Sequence, residues 1–211
     1  MSRIAIFANG ILPNLERARL LVNKDDFLIC ADGGCQHALA LGLQPSLVIG
    51  DLDSMTLEVR SMIDHKVKII EHPHDKDETD LELAIRYGLE HKPDSILIVG
   101  ALGNRLDQTL GNIALLSDPK LATLNVRLDD GVEEAMFCRN VMQVTGAPGD
   151  VVSLIPWGGA VAGVRTEGLR WPLHGETLYP DKTRGISNEM LNDQVNIRIE
   201  SGLLLIVHKR Q

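Results

Sequence analysis

The stretch Leu47-Val48-Ile49-Gly50-Asp51-Leu52-Asp53-Ser54 decides the fold of this 211-residue chain. Its first three residues are apolar without alternation, the pattern of a strand buried on both faces. The run stops at Gly-Asp, and a helical pattern follows near 55–64. The same unit recurs on either side. Short apolar runs occupy Ile4–Phe7, Phe27–Cys30, Val67–Ile70, Ile96–Val99 and Leu124–Leu128. Helical patterns lie near 13–22, 35–42, 79–92 and 105–117. The clearest spans Thr79–Lys92, with Leu81, Ala84, Ile85, Gly88 and Leu89 on one face. Alternating strands and helices predict an α/β domain whose parallel sheet carries helices on both faces.

Past about residue 135 the helical periodicity is gone. Short runs at Val151–Ile155, Ala160–Val164, Gln194–Ile199 and Leu203–Val207 are separated by Gly, Pro, Asn and Asp. These signals predict a smaller antiparallel β-sandwich. Asp193–Lys209 reads as a hairpin around Ser201-Gly202. The expected domains are therefore 1–135 and 136–211.

Composition narrows the function. Hydrophobic residues make up 44% and charged residues 24%, ordinary for a globular chain. No apolar stretch approaches the ~20 residues of a membrane helix. The net charge of −8 argues against a duplex-DNA binder. Residues 1–130 hold 20 acidic and 13 basic side chains, whereas 131–211 hold 9 and 8, so the acidity belongs to the first part. Three scattered cysteines, Cys30, Cys35 and Cys138, form neither a disulfide framework nor a zinc pattern. Cys30 reads as a small buried hydrophobe. The start, MSRIAIFANG, carries no targeting pattern, and a cytoplasmic location is expected.

Ligands of open parallel sheets bind beyond the carboxyl ends of the strands. Those ends carry Asp32-Gly33-Gly34, Asp51-Leu52-Asp53, the loop from His72 to Asp80, and Gly100 to Asp107. Each carboxylate alone has a plain structural reading: a helix cap, a turn, or the capping box of Thr79 with Glu82. Together Asp32, Asp51, Asp53, Asp77, Asp80 and Asp107 would repel one another unless a cation neutralises them. Hard oxygen donors suit Mg²⁺, which commonly partners phosphates. The chain has neither a GxxxxGK[ST] stretch nor a GxGxxG after its first strand. Phosphates would instead meet the metal, the backbone at Gly33-Gly34 and Gly100–Gly103, and Arg105 at a helix start. Arg105 also reads as a surface ion pair, and His72 and His74 as solvated loop histidines or metal ligands. Trp157 and Trp171 are core residues or platforms for a flat cationic ring. Gly185-Ile186-Ser187-Asn188 is a turn or a ligand loop.

Taken in order, these stretches resemble the thiamine pyrophosphokinase (thiamine diphosphokinase) family. The matching segments are Ala8-Asn9-Gly10, Ala31–Gly34, Gly50–Ser54, Lys76–Asp80, Gly100–Asp107, Ser153–Pro156, Thr166–Trp171 and Gly185–Glu189. The resemblance runs from about residue 4 to about 207. It implies a homodimer that transfers the diphosphate of ATP to the hydroxyethyl group of thiamine, releasing AMP. It implies Asp51, Asp53, Asp80 and Asp107 as catalytic and metal-binding residues around Mg²⁺. Asp32, Gly33, Asp77, Thr79, Gly103 and Arg105 would contact ATP, and Trp171, Ser187 and Asn188 would contact thiamine. Gln108 stands where the family often has His, and Arg170 where it often has Lys. An acidic, aromatic-edged pocket would suit the thiamine cation. A diphosphokinase for another hydroxyalkyl heterocycle such as a pterin shares the rim. A non-catalytic sensor should have lost the rim, and a Mg²⁺-dependent phosphohydrolase leaves the second domain unexplained.

Overall fold

The computed structural model describes residues 2–103 and 105–211. Two compact units divide it, Met1–Gly131 and Val132–Gln211.

The first unit opens with β1 (Arg3–Phe7), α1 (Leu15–Leu21), β2 (Phe27–Ala31), α2 (Gly34–Ala40), β3 (Leu47–Gly50) and α3 (Leu57–Met62). It continues with β4 (Lys68–Glu71), α4 (Asp80–Glu90), β5 (Ser95–Val99), α5 (Leu106–Leu115), a 3-10 turn at Pro119–Leu121, and β6 (Asn125–Asp129). Its strands run in the order β6-β5-β1-β2-β3-β4, and every pairing is parallel. Side chains of a strand alternate between faces, and both faces are filled. Ala5 and Phe7 join Cys30, Cys35, Ala38 and Val48, with Leu21, Leu41 and Val59 packed against them, so α1, α2 and α3 cover one face. Ile4 and Ile29 point the other way, toward α4, where a Cβ on Gly88 would sit 3.3 Å from Ile4. Leu81, Leu83, Ala84, Ile85 and Gly88 are the buried positions of that helix.

The run expected at Val67–Ile70 departs from a doubly buried strand. As β4 it is the edge strand beyond β3, and Ile69 is 38% exposed. Its charged ends, Lys68 and Glu71, suit an edge, which must not invite a further strand.

The second unit is all β: β7 (Glu133–Cys138), β8 (Val141–Thr145), β9 (Val151–Pro156), β10 (Val161–Glu167), β11 (His174–Leu178), β12 (Asn188–Glu189), β13 (Gln194–Arg198) and β14 (Leu204–Lys209). One sheet runs β12-β9-β14-β7 and the other β11-β10-β13-β8. Met136, Val152, Leu154, Leu204 and Ile206 of the first meet Val144, Val161, Val164, Val195 and Ile197 of the second in a single core, which makes a sandwich. The expected Asp193–Lys209 hairpin does not form. β13 pairs with β8 and β10, whereas β14 pairs with β7 and β9. Ser201-Gly202 carries the chain from one sheet to the other, and Ser201 bridges to Ala162 on the way. Both strands face the same core, from opposite sheets.

No helix among the described residues is long and apolar enough to cross a membrane.

Candidate active site

A cleft of about 620 Å³ opens beyond the carboxyl ends of β1, β2, β3 and β5. Asp32, Asp51, Asp53, Thr79, Asp80, Gly103 and Arg105 line it, as do Asn9, His74, Lys76 and Gln108. Ala8-Asn9-Gly10 and Gly100–Gly103 form one wall: the Gly10 N–H donates to the Gly100 carbonyl at 2.6 Å, and the Asn112 side chain donates to the Ala101 carbonyl at 2.9 Å.

Local backbone conformation brings the carboxylates in. Asp32 is left-handed (φ 45), which Asp tolerates better than most residues. Leu52, also left-handed (φ 62), is a strained position for a branched side chain. Its side chain packs against the core under the sheet, and the Asp53 N–H closes a turn onto Asp51 Oδ1 at 3.2 Å. Gly50 (φ 150) sits where a Cβ would lie 3.0 Å from Asp32 Cβ and 3.1 Å from Asp80 Cγ. Any side chain there would push the two carboxylates apart. Ligand atoms of Asp32, Asp51 and Asp80 thus come within 4.8 Å of one another, as do those of Asp51, Asp53 and His74. Asp51 belongs to both groups.

Lys76 is the internal counter-charge. Its ammonium is 2.9 Å from Asp80 Oδ1 and 3.5 Å from Asp51 Oδ2, with the side chain only 12% exposed. Burial pushes the Asp51 carboxyl up, but the Asp53 amide and the Lys76 ammonium outweigh it and hold Asp51 below the usual range. Asp80 goes the other way: burial, with repulsion from Asp51 and Asp32, outweighs Lys76 and holds it high. Lys76 in turn is raised, because the two carboxylates overcome its desolvation. Asp32 Oδ2 accepts the Ser54 hydroxyl, while Asp32 Oδ1 is buried with no hydrogen-bond partner. A buried anionic oxygen without a donor is costly. Three converging carboxylates and an orphaned oxygen fit a hard divalent cation such as Mg²⁺.

Other expected residues stand apart. Asp107 is in neither carboxylate group; it pairs with Arg105, and each side chain is 65% exposed. The Arg105 guanidinium holds its carboxyl below the usual range. Arg105 precedes α5 as its N-cap, without a side-chain cap bond. Asp77 is exposed and outside the cleft lining, where its neighbours Lys76 and Glu78 stand instead. Thr79 caps α4, accepting the Glu82 N–H at 3.2 Å. Gly33 N-caps α2, and a Cβ there would collide with Asn9 and Ser54. Asn104, within one of the matching stretches, lies outside the described residues. The position of Lys76 among the carboxylates was not expected from sequence. A lysine four residues before Asp80 was the available signal, since i and i+4 share a helical face, but Lys76 lies in the loop ahead of α4.

In the second unit a pocket of about 410 Å³ is lined by Trp171, Leu173, Thr183, Arg184, Gly185, Ile186 and Asn188. Trp171 is 52% exposed, with the Arg170 guanidinium 5.2 Å from its ring centre. Asn188 is buried and clips the tryptophan segment: Oδ1 accepts the Trp171 N–H at 3.1 Å, and Nδ2 donates to the Trp171 carbonyl at 2.7 Å. Ser187 is left-handed (φ 58), and its N–H donates to Ser153 Oγ. The acidic edge expected around Trp171 is absent from this lining. Glu189 and Glu176 lie nearby but are engaged by Arg170 at 3.0 Å and Arg184 at 3.5 Å. Trp157 packs edge-on to Phe137, and Cys30, Cys35 and Cys138 are buried free thiols.

Comparison with known proteins follows the two units. Residues 18–128 match the family model described as thiamin pyrophosphokinase, catalytic domain, and 140–204 match thiamin pyrophosphokinase, vitamin B1 binding domain. Thiamine pyrophosphokinase of Bacillus subtilis is 29% identical over 98% of both chains. Thiamine pyrophosphokinase 1 of Oryza sativa is 26% identical over 97% of this chain and 86% of its own. The crystal structure of the Bacillus subtilis enzyme superposes with a TM-score of 0.90 over the whole of both chains, at 26% identity.

Proposed function

Because the chain belongs to the thiamin pyrophosphokinase family, we propose that it transfers the diphosphate of ATP to the hydroxyethyl oxygen of thiamine. The products are thiamine diphosphate and AMP. One observation carries the reading: a catalytic and a vitamin B1-binding domain follow each other in one chain, and the first holds three converging carboxylates at its strand ends.

In the reaction the thiamine hydroxyl oxygen bonds to the β-phosphorus. The bond from that phosphorus to the oxygen bridging the α-phosphate breaks, AMP departs with that oxygen, and the hydroxyl proton passes to a rim carboxylate and then to solvent. Asp51, Asp53, Asp80 and Asp107 are assigned to Mg²⁺, with Asp32 completing the buried group. When bound, the metal screens the phosphate charge from these carboxylates and makes the β-phosphorus more electrophilic. Arg105 turns from Asp107 to a phosphate oxygen, leaving that carboxylate available to the rim. Gly33, Gly103 and Thr79 bound the nucleotide, with Asp77 at its outer edge. Catalysis is positioning and charge neutralisation, as in other phosphoryl transfers.

Residues 136–211 are assigned to thiamine, with 1–135 as the nucleotide domain. The Trp171 face takes the aromatic cation, an interaction of about 0.5–2 kcal/mol. Asn188 holds that tryptophan in place, and Ser187 shapes the loop beside it. The protein is assigned to the cytoplasm and to a homodimer; sedimentation of the purified protein checks the oligomeric state.

The deciding experiment follows AMP release from ATP and Mg²⁺ with no acceptor, with thiamine, and with a hydroxymethylpterin. AMP that appears only with thiamine, matched by thiamine diphosphate, is the expected result. AMP with the pterin alone would reassign the acceptor. None with either would remove the transferase reading.

A further inference from the structure

Lys76 is an unusual residue to find between metal-binding carboxylates. Its side chain is seven-eighths covered, and its ammonium reaches Asp80 Oδ1 at 2.9 Å and Asp51 Oδ2 at 3.5 Å. Asp32, Asp51 and Asp80 present oxygens within 4.8 Å of one another, so one ammonium faces three carboxylates. The compensation is incomplete, since Asp32 Oδ1 stays buried without a donor. A divalent ion among the three would draw on the Asp80 carboxylate that Lys76 now touches. Two cations on one carboxylate repel strongly in a partly buried site. The tether offers a way out. Lys76 lies in the loop between β4 and α4, and the same cleft that receives its side chain extends to Gly103 and Arg105. A lysine ammonium on a four-carbon stem is a mobile point charge that binds phosphate oxygens well.

We propose that Lys76 is a displaceable stand-in for the divalent cation: it holds Asp51 and Asp80 together in the empty enzyme, yields to the metal, and then binds the phosphate chain of ATP. Metal entry and nucleotide binding are thereby coupled through one side chain. The inference rests on the assignment of Asp32, Asp51 and Asp80 to the metal. It makes Lys76 a nucleotide ligand and a loading device.

The test measures Mn²⁺ binding by electron paramagnetic resonance on the full chain, with and without a non-hydrolysable ATP analogue. Wild type, Lys76→Gln, Lys76→Arg and Asp51→Asn are compared. Lys76→Gln should bind Mn²⁺ alone at least tenfold more tightly than wild type, because its competitor is gone. It should bind the analogue at least tenfold more weakly in saturating Mn²⁺, and the mutual strengthening of metal and analogue should shrink accordingly. Melting in EDTA should show Lys76→Gln destabilised relative to wild type, with the gap closed by Mn²⁺. Lys76→Arg should keep the weak metal affinity of wild type. If Mn²⁺ binding depends on Asp51 but is unchanged or weakened in Lys76→Gln, the displacement idea is wrong and the metal site stands. Binding that is absent from wild type and Lys76→Gln alike, or indifferent to Asp51→Asn, overturns the metal assignment and this inference with it.

Discussion

Asp51 is the residue on which the site turns, because both carboxylate groups share it. Asp51→Asn keeps the shape and removes the charge, so it should cut turnover by at least ~100-fold, the scale of losing one key electrostatic group. The variant should remain folded, since Asp51 contributes no apolar packing. Normal turnover would remove Asp51 from the site. Asp107 makes a contrasting prediction. It stands outside both groups and is exposed beside Arg105. Asp107→Asn should lower turnover yet leave Mn²⁺ affinity without nucleotide unchanged, and a loss of that affinity would place Asp107 in the resting metal site. Trp171, half exposed above its pocket, should act on thiamine alone. Trp171→Ala should raise the KM for thiamine about 10-fold or more while the KM for ATP stays put, and equal rises in both would make it structural. Sequence named most of these residues because carboxylates recur after successive strands. Lys76 escaped because a lysine near aspartates is ordinary in a solvated loop, and only its burial between two of them marks it.

At the scale of elements, α4 links fold and chemistry. Its inner face packs on the sheet, its first residue is Asp80, and Thr79 caps it. Cap loss costs about 1 kcal/mol. Thr79→Ala should therefore lower stability by about that amount in urea unfolding, and Thr79→Ser should restore it. If the serine variant restores stability but not the KM for ATP, the threonine methyl matters to the nucleotide as well. The sequence predicted this helix closely because its apolar spacing and cap are local signals. It predicted β4 as buried and Asp193–Lys209 as a hairpin, and both expectations failed for one reason. Whether an apolar run is central or at an edge, and which neighbour it pairs with, depends on strands distant in sequence.

For the molecule as a whole, the second unit carries an ionic core that no sequence pattern announced. His208 is fully buried, with Nδ1 2.8 Å from Glu134 and Nε2 2.9 Å from Asp150. Arg210 reaches Glu134 at 3.2 Å, and the Gln211 N–H donates to Asp150 at 2.9 Å. Both ring nitrogens face carboxylates, so the imidazolium is the form that satisfies them. Burial lowers the His208 pKa and Arg210 opposes protonation, but Glu134 and Asp150 outweigh both and raise it. Asp150 is pushed up by burial, yet the amides of Gln211 and Ala147 together with His208 hold it low. The His208 stabilisation is present in full below an unfolded pKa of about 6.5 and is lost as pH rises through the raised folded value. The Asp150 stabilisation is present above about 3.9 and is lost as pH falls through the depressed one. Melting followed from pH 5 to 9 should show stability declining on the alkaline side, and His208→Gln should flatten that decline. His208→Ala, which strips the partner from two buried carboxylates, should cost about 3–5 kcal/mol. An alkaline slope identical in wild type and His208→Gln would assign the decline to other groups.

The sequence by itself determined the succession of elements, the α/β unit before the β unit, and the rim of carboxylates at the strand ends. Those follow from periodicity, from caps, and from the rule that open parallel sheets bind ligands at their carboxyl ends, all readable within a window of residues. Tertiary structure alone decided which aspartates meet. Asp32 and Asp80 come together because β2 and β3 are neighbours, because α4 returns over them, and because Gly50 leaves room between them. It also decided that Lys76 lies among the carboxylates, and that β13 and β14 part into two sheets. Each of these depends on burial and on pairings between distant segments, quantities that a stretch of sequence does not contain until the chain has closed on itself.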